Sequence, residues 1–452
     1  ACHGASKARR GPNVGAGGVP RARCAVIASR AVLLSRVRLA HVGPFDDLSL
    51  SFGDATGTPR RLVVLFGGDG VGKTSILSAI ASTRPGYAVA QLRSRGEESA
   101  PPVVVTDWSL GTDDPARAHP LRIASPNARL DEPEDAALLR RREQSLFERR
   151  AAEGGFVLVA LSGARWFSRT AIVLTTPERS ILRYDVRAAA SFDDATRTDL
   201  ARETKQVLSF VPVAAALARG NATERPGAQP GGHDGRDGHD GPGRHDAPSS
   251  ARPDAHADGQ SDARPNARPN AQPNAQPNAQ SDAQPNAQFN VRLHAQSARL
   301  DALDRALKEV LSALLDGHGA RYVGVDPLRL EPIFERADGQ RVDFDDLGRS
   351  ARHTIAFGAL ALRALAAAHP SGDPRLAEGV VLIDDVEAQQ PVHRQRSLTA
   401  RLRAALPNVQ WIITTSSPAI ALGCELSDVI ALRREPSSGR VELHEGPDAV
   451  LH

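Results

Sequence analysis

Hydrophobic and polar positions change rhythm along this chain, and each change predicts an element. Residues 37–52 (VRLAHVGPFDDLSLSF) alternate in two short runs about Gly43-Pro44, which predicts a leading antiparallel β pair. Residues 61–66 (RLVVLF) are almost wholly apolar and predict a buried strand. From Ser75 onward (SILSAIA) the spacing turns helical. Strand candidates follow at 87–92, 102–110 and 120–123, then a charged helix at 132–152. Its Arg140, Arg141, Arg142, Arg149 and Arg150 read either as a solvated face with i,i+4 ion pairs or as a phosphate-backbone contact. Residues 156–161 form another apolar run, ending in a turn with Arg165, Trp166 and Arg169. That turn either faces a ligand or holds a structural tryptophan among surface arginines. A hairpin at 171–174 and 181–186 and a helix at 199–211 come next.

In the second half, Leu300, Leu303, Leu307, Val310 and Leu314 recur at helical spacing over 298–315, with Gly317 as the stop. This stripe predicts a helix that pairs with the one ending at Val211 as a projecting arm, or that simply packs on the core. Residues 332–344 predict a hairpin about Asp338-Gly339, and 354–368 a long helix. Residues 379–385 (GVVLIDD) predict a buried strand ending in two carboxylates. A helix at 391–405, a buried strand at 409–415 (VQWIITT) and strands at 429–433 and 440–445 close the pattern.

Residues 222–296 lack this patterning. His233, His239 and His245 recur every six residues, and from Ser261 a four-residue repeat runs through SDAR, PNAR and PNAQ. With almost no apolar bulk, nothing offsets the entropy of ordering, so a disordered insert is expected. Residues 1–30 are expected to be a disordered tail. The domain reading is therefore a core with its arm at 31–221, the insert at 222–296, and the returning arm with the rest of the core at 297–452. The fold class is α/β: a phosphate-loop fold with a mixed central sheet, a leading antiparallel element and a helical hairpin insertion.

Composition changes the picture little. The net charge is +3, and only four of the 56 basic residues are lysine, while methionine is absent. That bias fits GC-rich codons better than nucleic-acid binding. The three cysteines, Cys2, Cys24 and Cys424, have no metal or disulfide spacing, which suits a reducing, cytoplasmic setting. No apolar run approaches the roughly 20 residues needed to cross a bilayer, so no membrane partner is expected.

The chemistry lies in two places. Gly67-Gly68-Asp69-Gly70-Val71-Gly72-Lys73-Thr74-Ser75 fits G-x-x-x-x-G-K-[ST] between a predicted strand and a predicted helix. Its glycines let backbone N–H groups curl round a phosphate, and the helix start adds a positive dipole end. Lys73 is expected on the β- and γ-phosphates of ATP, and the Thr74 hydroxyl on Mg²⁺. At the end of the acidic strand, Asp384 is expected to hold the Mg²⁺ hydration shell and Asp385 to act as general base. Glu387 is a third acid nearby.

The order of these features resembles the RecF/SMC-type branch of ABC-class ATPases, in particular stand-alone bacterial AAA-type ATPases close to the overcoming-lysogenization-defect family. The resemblance spans about residues 37–445 apart from the insert. It implies two heads that dimerise head to tail on ATP binding, with Lys73, Thr74, Asp384 and Asp385 in the family's roles. It also offers Gln91 as the glutamine that senses Mg²⁺ and water, against the plainer reading of a solvated strand-end glutamine. The chain departs from the pattern in three ways. Gly348 and Ser350 stand where the signature L-S-x-G has serine and glycine, Asp385 replaces a glutamate, and Ser416 replaces the switch histidine. Lost oriented groups of this kind cost on the order of 10²–10³ in rate. The expectation is thus an ATPase of slow turnover, linked to DNA or to a separate nuclease-like effector. The alternatives are an ATP-binding switch with little hydrolysis and, less in keeping with the long spacing from Lys73 to Asp384, a transporter subunit.

Overall fold

A computed structural model describes residues 32–54, 56–83, 101–109, 121–125, 128, 130–153, 155–172, 198–223 and 283–449. The expected strand at 87–92, most of the hairpin at 171–186, the tail at 1–30, most of the low-complexity insert and Gln91 lie outside these residues.

Two kinds of apolar pattern build two kinds of sheet. Strands β1 (Leu33–Val42) and β2 (Phe45–Ser51) alternate buried and exposed side chains, as a sheet with one wet face requires. Strand β3 (Leu62–Gly67) is buried along nearly its whole length and leads into helix α1 (Lys73–Ser82). Then come β4 (Val103–Ser109), β5 (Leu121–Ala124), α2 (Glu134–Glu153), β6 (Leu158–Leu161), β7 (Arg165–Trp166) and β8 (Thr198–Asp199). Helices α3 (Ala201–Thr223) and α4 (Ala283–Leu315) precede β9 (Ala320–Val325), β10 (Pro332–Arg336) and β11 (Arg341–Asp343). The chain continues through α5 (Arg349–Ala368), β12 (Gly379–Ile383), α6 (Val392–Ala405), β13 (Val409–Thr415), α7 (Pro418–Ala421), β14 (Val429–Arg434) and β15 (Val441–Glu445).

The fold is mixed α/β. The central sheet has the order β15-β14-β3-β13-β12-β6. Its five strands from β14 to β6 run parallel, and β15 is antiparallel at the edge. The register sets Ile383 beside Ile413 and Leu161, and Thr415 beside Phe66. The C-terminal ends of β3, β6, β12 and β13 therefore open on one edge of the sheet, where ligands sit in open α/β folds. The leading sheet, β2-β1-β4-β5, is antiparallel throughout. Helix α1 packs between it and the central sheet, and one apolar cluster including Leu39, Phe45, Ile76, Ile80, Trp108, Phe156, Val380 and Ile412 joins all three. A separate three-stranded sheet, β11-β10-β9, stands before α5. Its hairpin about Asp338-Gly339 was legible in the sequence, whereas β9 was not.

The chain divides into two compact units. One comprises 1–212 with 302–452, and the other 213–301. Helices α3 and α4 are both longer than their apolar stripes suggest. Helix α3 runs on through Pro212 to Thr223 instead of ending at Val211, and α4 starts at Ala283 instead of near residue 298. Within the second unit Arg219 forms an ion pair with Asp301, one residue from each helix. Past their stripes the helices continue through alanine-rich and polar sequence, which keeps helix propensity without adding an amphipathic apolar stripe.

Candidate functional site

The phosphate loop is shaped by glycine and by what presses on it. Gly72 sits at φ +92°, and a Cβ there would lie 2.6 Å from Pro44 and Phe45. Only glycine meets both demands, because a side chain is strained in the left-handed region and has no room. The β1–β2 turn is thus the back wall of the loop. Gly68, Asp69 and Gly70 are exposed, whereas Val71 is buried in the core beneath them. Lys73 is buried, and its Nζ donates to the carbonyls of Gly67 and Gly68 at 2.8 Å each. The ammonium is therefore held in the mouth of the loop. Ser75, at the helix start, lies close under Gly43 of the same β turn.

The acid rim comes from far along the chain. Thr74 Oγ1 donates to the Asp384 carboxylate, 3.0 Å from each oxygen. Thr414 Oγ1 donates to Asp384 Oδ1 at 2.6 Å and accepts from the Asp385 amide at 2.8 Å. Asp384 is almost fully buried, at 2% exposure. Asp385 turns away from the strand with φ +43°, an uncommon backbone for a residue with a side chain. Its carboxyl is pushed up to about 6, chiefly by burial and then by Asp384 and Glu387, while Lys73 and Arg165 draw it down. At neutral pH it is mainly ionised and close to the range that serves a general base.

Ser416 joins Glu387 rather than standing free. Its amide and hydroxyl both donate to Glu387 Oε1, at 2.7 and 2.8 Å. The other carboxylate oxygen of Glu387 is buried without a hydrogen-bond partner. Gly163, after β6, closes over the pair: a Cβ there would lie 3.0 Å from Asp385 Oδ2 and 3.3 Å from Asp384 Oδ2. The signature-like segment places Gly348 and Arg349 exposed at the start of α5. Ser350 is buried and donates to Gln390 Oε1 at 2.5 Å. Behind it Lys205, almost wholly buried, binds Asp345, Glu331 and the Thr170 carbonyl.

Of the two readings of the turn after β6, a structural tryptophan among surface arginines fails for Arg165 and Trp166, although Arg169 is exposed. Arg165 is buried and Trp166 is 45% exposed. Arg165 donates from Nη1 to the carbonyls of Ser162 and Asp384 and from Nη2 to that of Asp385. Nothing in the local pattern marks it, because an arginine after an apolar strand is usually at the surface. Thr414 was missed for a similar reason: within VQWIITT it reads as one more strand residue.

The donor set fits a hard divalent cation. It offers a hydroxyl and carboxylate oxygens, and no cluster of three His, Cys, Asp or Glu side chains among the described residues could hold a metal unaided. Mg²⁺ usually takes one or two protein oxygens and completes its shell from water and phosphate.

No protein-family model matches the chain, and no curated protein matches it. Among solved structures it is similar to an Smc head domain with an extended coiled coil, bound to the C-terminal domain of ScpA and derived from Pyrococcus furiosus. That likeness has 10% identity and a TM-score of 0.41, over 92% of this chain and 96% of that one. The SMC head domain from Thermotoga maritima gives 10% identity and a TM-score of 0.36, over 91% of this chain and 98% of that one. A SmcHead bound to the C-winged helix domain of ScpA gives 11% identity and a TM-score of 0.42, over 91% and 98%. All three scores are below 0.5, and what the site can do follows from its own residues.

Proposed function

We propose that this chain binds and hydrolyses ATP with Mg²⁺, as an ABC-class phosphate-loop ATPase whose heads close head to tail into a homodimer. The observation that carries the reading is the meeting of Thr74 and Asp384 at 3.0 Å across 310 positions of sequence. A phosphate loop and an acidic strand end that share a hydrogen bond form one triphosphate–metal pocket.

In this reading the loop amides and Lys73 bind the phosphates, and Thr74 and Asp384 hold Mg²⁺. When bound, Mg²⁺ neutralises charge on the phosphate oxygens. Asp385 accepts a proton from the attacking water as its oxygen bonds to the γ-phosphorus and the bond to the β–γ bridging oxygen breaks. Glu387 and Ser416 fix the far side of that water's site. Binding by contacts of this kind is positioning and electrostatics rather than covalent chemistry. The signature-like loop at Gly348-Arg349 would face the second protomer's nucleotide.

A second reading, an ATP-binding switch with little hydrolysis, is favoured by one observation. Ser416, where a switch histidine would stand, is committed to Glu387 and carries no charge for the γ-phosphate. Either form would act through a partner, DNA or a separate nuclease-like effector, in the cytoplasm. No described helix is long and apolar enough to cross a membrane. Turnover by purified wild-type protein, with Lys73→Ala as the control for contaminating activity, separates the two readings. Dimer closure predicts that Asp385→Asn, which retains ATP, doubles its mass in solution on adding Mg²⁺ and ATP. A mass that stays monomeric removes the head-to-tail dimer.

A further inference from the structure

Arg165 has no part in the roles described so far, yet it is among the most costly side chains in the fold. A guanidinium taken almost wholly out of water needs a reason. Its exposure is 7%, and burial lowers its pKa to about 10, so it stays charged at neutral pH. Its hydrogen bonds go to main-chain carbonyls: Ser162 at 2.6 Å, Asp385 at 2.8 Å, and Asp384. Phe357 of α5 backs the planar group, with its ring centre 5.1 Å from the guanidinium carbon.

The pattern of partners matters. An arginine bonded to the carboxylate oxygens of Asp384 and Asp385 would neutralise the groups that the site needs. Bonded to their carbonyls, it fixes the backbone and leaves the carboxylate oxygens available. It also acts where the backbone is strained. Asp385 is held at φ +43°, a conformation that persists only when its surroundings over-determine it. Arg165 holds the carbonyl of that residue, and Thr414 holds its amide. Asp384, by contrast, is also held through its side chain by Thr74 and Thr414.

We infer that Arg165 is a positioning residue for the chemical step: its forked hydrogen bonds hold the Asp384–Asp385 turn so that the Asp385 carboxylate faces the γ-phosphate. This rests on the proposed hydrolysis. Lysine cannot replace it, because a single ammonium lacks the planar fork that spans the carbonyls.

The test is a split between binding and chemistry. Equilibrium binding of Mg²⁺–ATP and the single-turnover hydrolysis rate are measured for wild type, Arg165→Lys, Arg165→Ala and Phe357→Leu. The rate in both Arg165 variants is expected to fall about 10²-fold, the usual effect of misplacing a reacting group by about 1 Å. Affinity is expected to change by less than about threefold, since the phosphate loop is untouched. Millimolar guanidinium is expected to recover part of the rate in Arg165→Ala but none in Asp385→Asn. Should Arg165→Ala not fold, Phe357→Leu decides. It keeps the arginine but removes its backing ring, and about a tenfold loss of rate at unchanged affinity is expected. The inference is overturned if affinity and rate fall together, if lysine sustains the wild-type rate, or if Phe357→Leu leaves the rate unaltered. A wild type that does not hydrolyse sinks the hydrolytic reading itself. A failed clamp shows instead as variants that match an active wild type.

Discussion

The two rims of the proposed nucleotide site are built on opposite plans. The phosphate rim is nearly contiguous, running from Gly67 to Thr74, and its working parts are main-chain groups shaped by glycine. The acid rim gathers Arg165 of β7, Asp384, Asp385 and Glu387 after β12, and Thr414 and Ser416 at the end of β13. A contiguous rim is specified by local backbone preference and fails when one residue is wrong. A gathered rim is specified by tertiary packing and can drift while each of its residues remains present. Binding should therefore depend on the first rim and chemistry on the second.

The sharpest break is Lys73→Ala. It removes the ammonium held by the Gly67 and Gly68 carbonyls, and both ATP affinity and turnover should fall by 10²-fold or more. Isothermal titration and phosphate release measure the two. Retained affinity would dissolve the distinction between the rims. Thr414→Val tests the other side. It deletes the hydroxyl shared by Asp384 and the Asp385 amide, and should lower turnover about tenfold or more with affinity nearly unchanged.

A stability comparison sharpens the same contrast. Gly72→Ala adds a methyl group against Pro44 and Phe45 on a left-handed backbone, and should cost about 1–3 kcal/mol in denaturant unfolding. Gly68→Ala, with nothing within 4 Å, should cost well under 1 kcal/mol. Equal losses would mean that the β1–β2 turn does not shape the loop.

The smallest effect concerns pH. Without Mg²⁺ and nucleotide, Asp385 holds its proton up to about pH 6 in the folded chain, above its ordinary value of 3.8. The folded state then binds more protons than the unfolded state between those values, so this residue's contribution to stability is lost as pH rises through 6. Melting temperature from pH 5 to 7.5 should therefore fall less steeply in Asp385→Asn than in wild type. Parallel curves would count against the shift.

The same contrast decides what the sequence could disclose. The glycine-rich loop between β3 and α1 was legible because it is a local string with the right flanks. The central strands were equally plain, since 61–66, 156–161, 379–383 and 409–415 are largely apolar runs buried along most of their length. Asp384 was legible because a strand that ends in acid has few other uses. Arg165 and Thr414 were not, because their roles exist only once β6, β12 and β13 lie side by side. Nor could residue spacing show that Ser416 is committed to Glu387. The lengths of α3 and α4 were underestimated because apolar periodicity stops where burial stops, while the helices continue.

The β1–β2 turn has a consequence for how such motifs are compared. Pro44 and Phe45 mould the far side of Gly72, some thirty residues away in sequence, so the nine-letter string is only the inner surface of a two-piece casting. Grafted into another host, or expressed from a start codon downstream of Ser51, the same letters would lose their mould and slacken. Two chains with identical strings could then differ widely in their grip on a triphosphate, and the reason would lie in residues that no motif search inspects.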